Sequence, residues 1–130
     1  MEKYKIALIE DDKILSKALK EELEESGFEV LQAYDGEEGF ILVQKEKPSL
    51  ILLDIIMPKL DGISLLKKLK DDEDLKKIPV IMLTVFGSYK KIADTIDIGA
   101  EAYFIKDQQN METVVRSIKE MLESKNKQIS

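Results

Sequence analysis

The sequence predicts an α/β fold, a doubly wound parallel sheet of five strands with five helices. Five short apolar runs have the length of strands, and they lie at residues 6–9, 28–31, 50–53, 80–83 and 102–105. The first, third and fourth runs are continuously apolar, which is typical of strands that are covered on both faces. Segments with helical spacing separate the runs. Such an alternation favours parallel strands joined by right-handed crossovers.

Helix signals stand in each linking segment. Gly27 and Gly99 are stop signals for the first and fourth helices, because glycine accepts the conformation that ends a helix. Asp35 and Glu38 have capping-box spacing at the start of the second helix, which ends before Pro48. Apolar residues at helical spacing mark the first, third, fourth and fifth helices in turn: Ile14, Leu15, Ala18, Leu19, Leu23; Ile63, Leu66, Leu69; Ile92, Ala93, Ile96; and, from near Asn110, Met111, Val114, Val115, Ile118, Leu122.

The length and composition indicate one globular domain. The chain has 130 residues and 44% hydrophobic residues, with six glycines and three prolines, as in an ordinary folded domain. We expect the domain to cover residues 1–124 and a polar C-terminal tail to cover residues 125–130.

The composition also excludes several functions. Cysteine and histidine are both absent, so disulfides, thiolate and histidine catalysis, and metal sites built on these residues are excluded. A net charge of −6 should repel nucleic acid, so we expect no direct nucleic-acid partner. The apolar runs are too short for a membrane span or a signal sequence, which predicts a cytoplasmic protein without membrane insertion.

Polar residues follow the apolar runs, at the ends where a parallel sheet of this kind binds ligands. Taken alone, each has an ordinary explanation; Asp12, for example, suits the N-cap of the first helix. Together they would place carboxylates, a hydroxyl and an ammonium at one edge of the sheet. These residues are Glu10, Asp11 and Asp12 after the first run, Asp54 after the third, Thr84 after the fourth and Lys106 after the fifth.

Clustered carboxylates repel one another unless a cation lies between them. Hard oxygen ligands select Mg²⁺ or Mn²⁺, and Mg²⁺ commonly shares its shell with a phosphate. Lys106 and Thr84 would offer a positive charge and a hydrogen-bond donor to phosphoryl oxygens. Asp54 can itself act as a nucleophile and form an acyl phosphate, so the site is predicted to accept a phosphoryl group.

The motifs LIEDD, LLDIIMPKLDG, PVIMLT and GAEAYFIKD stand in this order along the chain. In them, and over residues 5 to about 123, the sequence resembles the receiver domain of response regulators in two-component systems, most of all the single-domain chemotaxis regulators. The resemblance implies a flavodoxin-like fold with strand order 2-1-3-4-5.

By this resemblance Asp54 is the phosphoacceptor and Lys106 the phosphoryl-binding lysine. Asp11 corresponds to the direct metal ligand and Glu10 to its water-linked neighbour, and the backbone carbonyl of Ile56 completes the protein ligands of Mg²⁺ or Mn²⁺.

The resemblance further implies that Thr84 and Tyr103 form a switch that responds to phosphorylation. The partners would be a sensor histidine kinase or a histidine-containing phosphotransfer protein, and a downstream protein target of unknown identity. Such a protein is a signalling switch and not an enzyme, since it only accepts its own phosphoryl group and slowly loses it.

The chain departs from the family pattern at several positions. Asp107 follows Lys106 where proline is usual, and Val85 follows Thr84 where a small residue is usual. Ile56 and Phe86, which flank the phosphoryl group by the resemblance, are both apolar. We expect Ile56, Val85 and Phe86 to tune the access of water.

Three other functions are compatible with a fold or a chemistry of this kind. A flavodoxin-like cofactor binder should have a glycine- and hydroxyl-rich phosphate loop after the first strand, where this chain has EDDK. A haloacid-dehalogenase-type phosphatase needs an acid two residues after Asp54, where Ile56 stands. A receiver-like scaffold that does not switch remains as an alternative. The initial Met1 and the polar end favour a stand-alone protein over a receiver module from a longer regulator or hybrid kinase.

Overall fold

A computed structural model describes residues 3–85, 89–106 and 111–129, with side chains to residue 125. Strands and helices alternate through these residues, so the predicted α/β fold with five strands and five helices is confirmed. In chain order the elements are β1 Lys5–Ile9, α1 Lys13–Glu25, β2 Glu29–Ala33, α2 Gly36–Glu46, β3 Leu50–Asp54, α3 Gly62–Lys70, β4 Val80–Thr84, α4 Tyr89–Ile98, β5 Ala102–Ile105 and α5 Met111–Ile129.

All five strands are parallel, in the order β2-β1-β3-β4-β5. The chain therefore reverses its direction of winding at β1, which lies between β2 and β3. The register aligns Asp54 with Leu83 and Thr84 with Ile105, so β3, β4 and β5 end at nearly the same level. Side chains at these ends are brought to one edge of the sheet, where folds of this kind bind ligands.

Two apolar cores cover the two faces of the sheet. Alternate residues along β1 belong to different cores: Ile6 and Leu8 pack with α1 and α5, whereas Ala7 and Ile9 pack with α2 and α3. Every residue of β3 and β4 is buried, as their continuously apolar sequences predict. The cores hold the central strands rigidly, and with them the polar residues at the strand ends.

On two helices, α1 and α4, some residues of the predicted apolar stripe are not buried. On α1, Ile14 is 85% exposed, because Ser16, Leu19 and Leu23 turn toward the sheet instead. Ser16 is tolerated in this buried place because its hydroxyl accepts a 2.9 Å hydrogen bond from the Gln32 side chain.

On α4, Ile92 is buried as predicted, but Ala93 and Ile96 are exposed and Thr95 is fully buried. The Thr95 hydroxyl donates a 2.7 Å hydrogen bond to the carbonyl of Ile92, so its burial leaves no unsatisfied hydroxyl. A threonine satisfied by its own helix can therefore replace an apolar residue, which the periodicity of apolar residues does not reveal.

The element boundaries differ from the predicted ones at two places. The second strand begins at Glu29 and runs to Ala33, two residues beyond the predicted run. The last helix continues to Ile129, so it passes the predicted domain boundary at residue 124. The added residues, lysine, asparagine and glutamine before the final isoleucine, are mostly polar and mostly compatible with a helix.

Aspartates cap the helices that begin near the sheet edge. Asp12 accepts hydrogen bonds from the backbone N–H groups of Ile14 and Leu15, so the cap considered for Asp12 is confirmed. Asp35 caps α2 in the same way, since it accepts a hydrogen bond from the backbone N–H of Glu38.

None of the described helices combines the length and the apolar character that a membrane span needs.

The exposed Ile14 and the buried Leu19, both on α1, allow a test of this packing. We expect Leu19→Ala to lower the free energy of unfolding by about 2–5 kcal/mol, because it empties space in the core. Ile14→Ala should change it by less than about 0.5 kcal/mol, because Ile14 is exposed and alanine is a good helix former. Urea unfolding of both variants measures the difference. Equal losses would mean that α1 is rotated relative to the arrangement described.

Candidate functional site

The carboxyl ends of the strands surround a cavity of about 230 Å³. Asp54 and Thr84 are the last residues of β3 and β4, and Lys106 directly follows β5. The fold therefore brings together side chains that are far apart in sequence. The residues that line the cavity are Asp11, Asp54, Ile55, Ile56, Thr84, Val85 and Lys106.

An ion-pair network lies at the floor of the site. The Lys106 ammonium is 2.7 Å from Glu10 Oε1 and 3.1 Å from Asp54 Oδ2, and both carboxylates are almost wholly buried. Glu10 Oε2 accepts a 3.0 Å hydrogen bond from the backbone N–H of Asp12. Asp54 Oδ1 accepts a 3.3 Å hydrogen bond from the backbone N–H of Ile56. Each buried carboxylate thus has a charged partner and a backbone donor.

Burial, together with the nearby Glu10 carboxylate, raises the pKa of Asp54 to about 8, although Lys106 acts in the opposite direction. Burial alone would lower the pKa of Lys106, but its contacts with Glu10 and Asp54 outweigh burial and the pKa is raised. Lys106 is therefore a permanent cation at neutral pH, while Asp54 is largely protonated there unless further positive charge arrives.

The arrangement of oxygens suits a hard divalent cation. Glu10, Asp11 and Asp54 each have one carboxylate oxygen within 4.8 Å of the others. Asp11 is exposed, whereas the other two are buried, so the group opens to solvent on one side. Carboxylate oxygens are the preferred protein ligands of Mg²⁺ and Mn²⁺. These residues therefore fit the metal ion that the sequence predicts.

The structure places the remaining predicted residues in different surroundings. Thr84 is buried beside the cavity, and its hydroxyl donates a long 3.4 Å hydrogen bond to the carbonyl of Val85. Tyr103 is 43% exposed and does not line the cavity. The exposed side chains of Ile56 and Val85 form an apolar rim. Phe86 lies outside the described residues.

Two further residues shape the site. Ile55 is buried and lines the cavity. Its position directly after Asp54 is the only sequence signal that could have indicated a place in the site. Gly62 leaves space for the backbone at the end of β3, because a Cβ atom there would lie 2.1 Å from the carbonyl oxygen of Asp54. The loop after β3 is thus packed tightly against the start of α3.

Known proteins share both the sequence pattern and the fold. A family model for the response regulator receiver domain matches residues 6–125. The probable transcriptional regulator ycf27 of Porphyra purpurea is 36% identical over 119 residues, which cover 90% of this chain and 48% of that protein. The DNA-binding dual master transcriptional regulator RpaA of Synechocystis sp. is 37% identical over 116 residues, covering 88% and 48%. The chain spans about half the length of these relatives.

Solved structures of receiver domains have the same fold as this chain. A response regulator receiver domain protein (CheY-like) from Methanospirillum hungatei JF-1 has a TM-score of 0.89 at 29% identity, covering 98% of this chain and 99% of that one. The receiver domain of a signal transduction histidine kinase from Syntrophus aciditrophicus has a TM-score of 0.85 at 29% identity, covering 93% and 91%. With the family model matching most of its length, the chain belongs to the family of response regulator receiver domains.

Proposed function

We propose that the chain is a phosphorylation-dependent switch that accepts a phosphoryl group on Asp54 with the help of Mg²⁺ or Mn²⁺. The donor would be a sensor histidine kinase or a histidine-containing phosphotransfer protein, because the chain has no histidine of its own. One observation carries the proposal: the Lys106 ammonium contacts both Asp54 and Glu10, beside a cavity that also contains Asp11 and Thr84.

The chemistry is a transfer between the donor and the Asp54 carboxylate. An Asp54 oxygen attacks the phosphorus, the bond from phosphorus to the donor breaks with its electron pair leaving on the donor, and an acyl phosphate forms. A divalent cation held by Glu10, Asp11, Asp54 and the Ile56 backbone carbonyl would supply positive charge to the phosphoryl oxygens. Lys106 would neutralise a further oxygen, and the Thr84 hydroxyl would donate a hydrogen bond to another.

Signalling would then proceed by protein contact. Thr84 and Tyr103 lie on neighbouring strands, β4 and β5, so a change at the phosphoryl site can reach the exposed Tyr103 ring through this pair. The nearby surface carries exposed basic residues, which suit an acidic or amphipathic segment of a partner protein. These residues are Lys90, Lys91, Arg116 and Lys119.

A second candidate role is that of a receiver module within a longer regulator. The curated relatives are about twice as long as the matched segment and are named as transcriptional regulators. In that role the site would keep its chemistry, and the response would pass to a segment beyond the receiver. The net charge of −6 supports the proposal that the chain does not itself contact nucleic acid. We further propose that the chain acts in the cytoplasm, together with its kinase partner.

Phosphoryl acceptance can be tested without the natural kinase. Incubation with acetyl phosphate and Mg²⁺ should add one phosphoryl mass that alkali removes, because an acyl phosphate is labile to base. Asp54→Ala should gain nothing, whereas Asp97→Asn, which alters an exposed carboxylate on α4 outside the cavity, should be labelled like the parent. Intact-mass spectrometry gives the result. Labelling of Asp54→Ala would place the acceptor on another residue, and an unlabelled parent would favour the scaffold function.

Metal affinity should depend on pH. Since the pKa of Asp54 is about 8 without a cation, a bound cation must displace a proton below that pH. Mg²⁺ affinity should therefore rise by up to about tenfold per unit from pH 6 to pH 8 and level off above pH 8. Asp54→Asn should bind more weakly and flatten this dependence.

In the same titrations, followed by NMR shifts, Asp11→Asn should weaken binding at every pH but keep the slope. An affinity of the parent that stays constant between pH 6 and pH 8 would contradict the proposed part of Asp54 in metal binding.

The aspartyl phosphate should be long-lived. Its hydrolysis needs a water in line with the phosphorus–Asp54 bond, and the exposed side chains of Ile56 and Val85 cannot hydrogen-bond such a water. The loss of phosphate should become several-fold faster in Ile56→Asn, Phe86→Glu and Phe86→Lys. Val85→Ala should also make it faster, because a smaller side chain lets water reach the phosphoryl group. Mass spectrometry after donor removal, at fixed Mg²⁺, follows the decay. Unchanged decay in the polar variants would show that water access does not limit hydrolysis.

A further inference from the structure

The loop between β3 and α3, residues 55–61, directly follows Asp54 and is fixed at both of its ends. At its start, the backbone N–H of Ile56 donates a hydrogen bond to Asp54 Oδ1 at 3.3 Å. At its far end, the backbone N–H of Gly62 donates a 2.8 Å hydrogen bond to the carbonyl of Ile55. The loop therefore contacts one oxygen of the Asp54 carboxylate, while the Lys106 ammonium contacts the other.

The middle of the loop rests on the N-terminus of α2, a helix that takes no part in the proposed chemistry. A Cβ atom on Gly36 would lie 1.8 Å from the carbonyl oxygen of Leu60, so the two backbones are in direct contact. The buried Asp35 carboxylate accepts a 2.9 Å hydrogen bond from the N–H of Glu38 through Oδ1. Its Oδ2 lies 3.5 Å from the Lys59 ammonium. One carboxylate thus caps the helix and holds the loop.

Lys59 has an unfavourable backbone conformation for its residue type. Its φ is 66°, in the left-handed region that glycine and asparagine accept far more readily than lysine. Strained residues of this kind persist where their surroundings fix them, and they are common at functional sites. A lysine in this place gains something that asparagine or glycine lacks, namely an ammonium long enough to reach Asp35.

We propose that Asp35 and Lys59 are positioning residues for phosphoryl acceptance. Their ion pair holds the loop against α2, the loop presents the Ile56 N–H to Asp54, and this hydrogen bond orients the nucleophilic carboxylate. The inference rests on the proposed function of Asp54 and adds a part for the α2 N-terminus. Because the pair is partly exposed, with the Lys59 side chain 60% accessible, its effect is of modest size.

Lys59→Asn separates positioning from folding. Asparagine accepts the left-handed conformation but lacks the ammonium, so stability should be equal to the parent's or higher. Phosphorylation by acetyl phosphate at fixed Mg²⁺ should nevertheless slow by about three- to fivefold. Lys59→Arg keeps the charge and should keep most of the parent rate. A purely structural role would make rate and stability change together.

Asp35→Asn tests the other partner. Asparagine is an equally good N-cap, so α2 should keep its stability while the ion pair is lost. The rate should fall as in Lys59→Asn, and the double variant should be no slower than either single one, because both remove the same interaction. Lys5→Met is the matched control, since it removes an ion pair of similar length, Lys5–Glu46 at 3.4 Å, at the opposite edge of the sheet.

Hydrogen exchange of the Ile56 amide gives a readout that does not depend on phosphorylation. Both single variants should exchange this proton faster than the parent and the Lys5→Met control. An unlabelled parent would refute the proposed function, while faster exchange at Ile56 would still show that the pair holds the loop. Parent-like rates and parent-like exchange in Lys59→Asn and Asp35→Asn would overturn the inference.

Discussion

The Lys106 ammonium is the charge on which the arrangement of the site depends. Glu10 and Asp54 are buried within reach of the same ammonium, and two buried carboxylates without a cation between them would destabilise the fold. Burial and the Glu10 carboxylate raise the pKa of Asp54 to about 8, and the Lys106 ammonium offsets only part of their effect. A further positive charge beside Asp54 would favour its ionised form, which is the physical reason that the site suits the proposed metal ion.

The sheet supplies the rigidity that such a site requires. β3 and β4 are buried along their whole length between two apolar cores, and their last residues, Asp54 and Thr84, lie at the edge where the cores end. Packing therefore fixes the backbone up to the first polar residue of each strand. Beyond that point, hydrogen bonds, caps and glycine contacts determine the path of the chain, and Gly62 and Gly36 are where backbone contact excludes any side chain.

The sequence predicted the fold, and it predicted which polar residues meet at the candidate site, because both follow from short-range patterns. Continuous apolar runs of strand length, separated by helical periodicity, leave few arrangements other than a parallel sheet. In a parallel sheet made of these strands, Asp54, Thr84 and Lys106 have to lie at one edge. The buried faces of the helices were predicted less well: Ile14 lies in solvent and Thr95 in the interior, because a hydroxyl bonded to its own helix can be buried as readily as an apolar group.

By itself, the sequence determined which chemical groups the chain has and at which end of each strand they stand: carboxylates, a hydroxyl and an ammonium, with neither histidine nor cysteine. Only the tertiary structure decided their mutual distances and their burial, and hence the pKa of Asp54. It also brought Asp35 against Lys59 from separate segments of the chain. These properties depend on packing between elements distant in sequence, and no local pattern of residues encodes the depth of a carboxylate or the charge beside it.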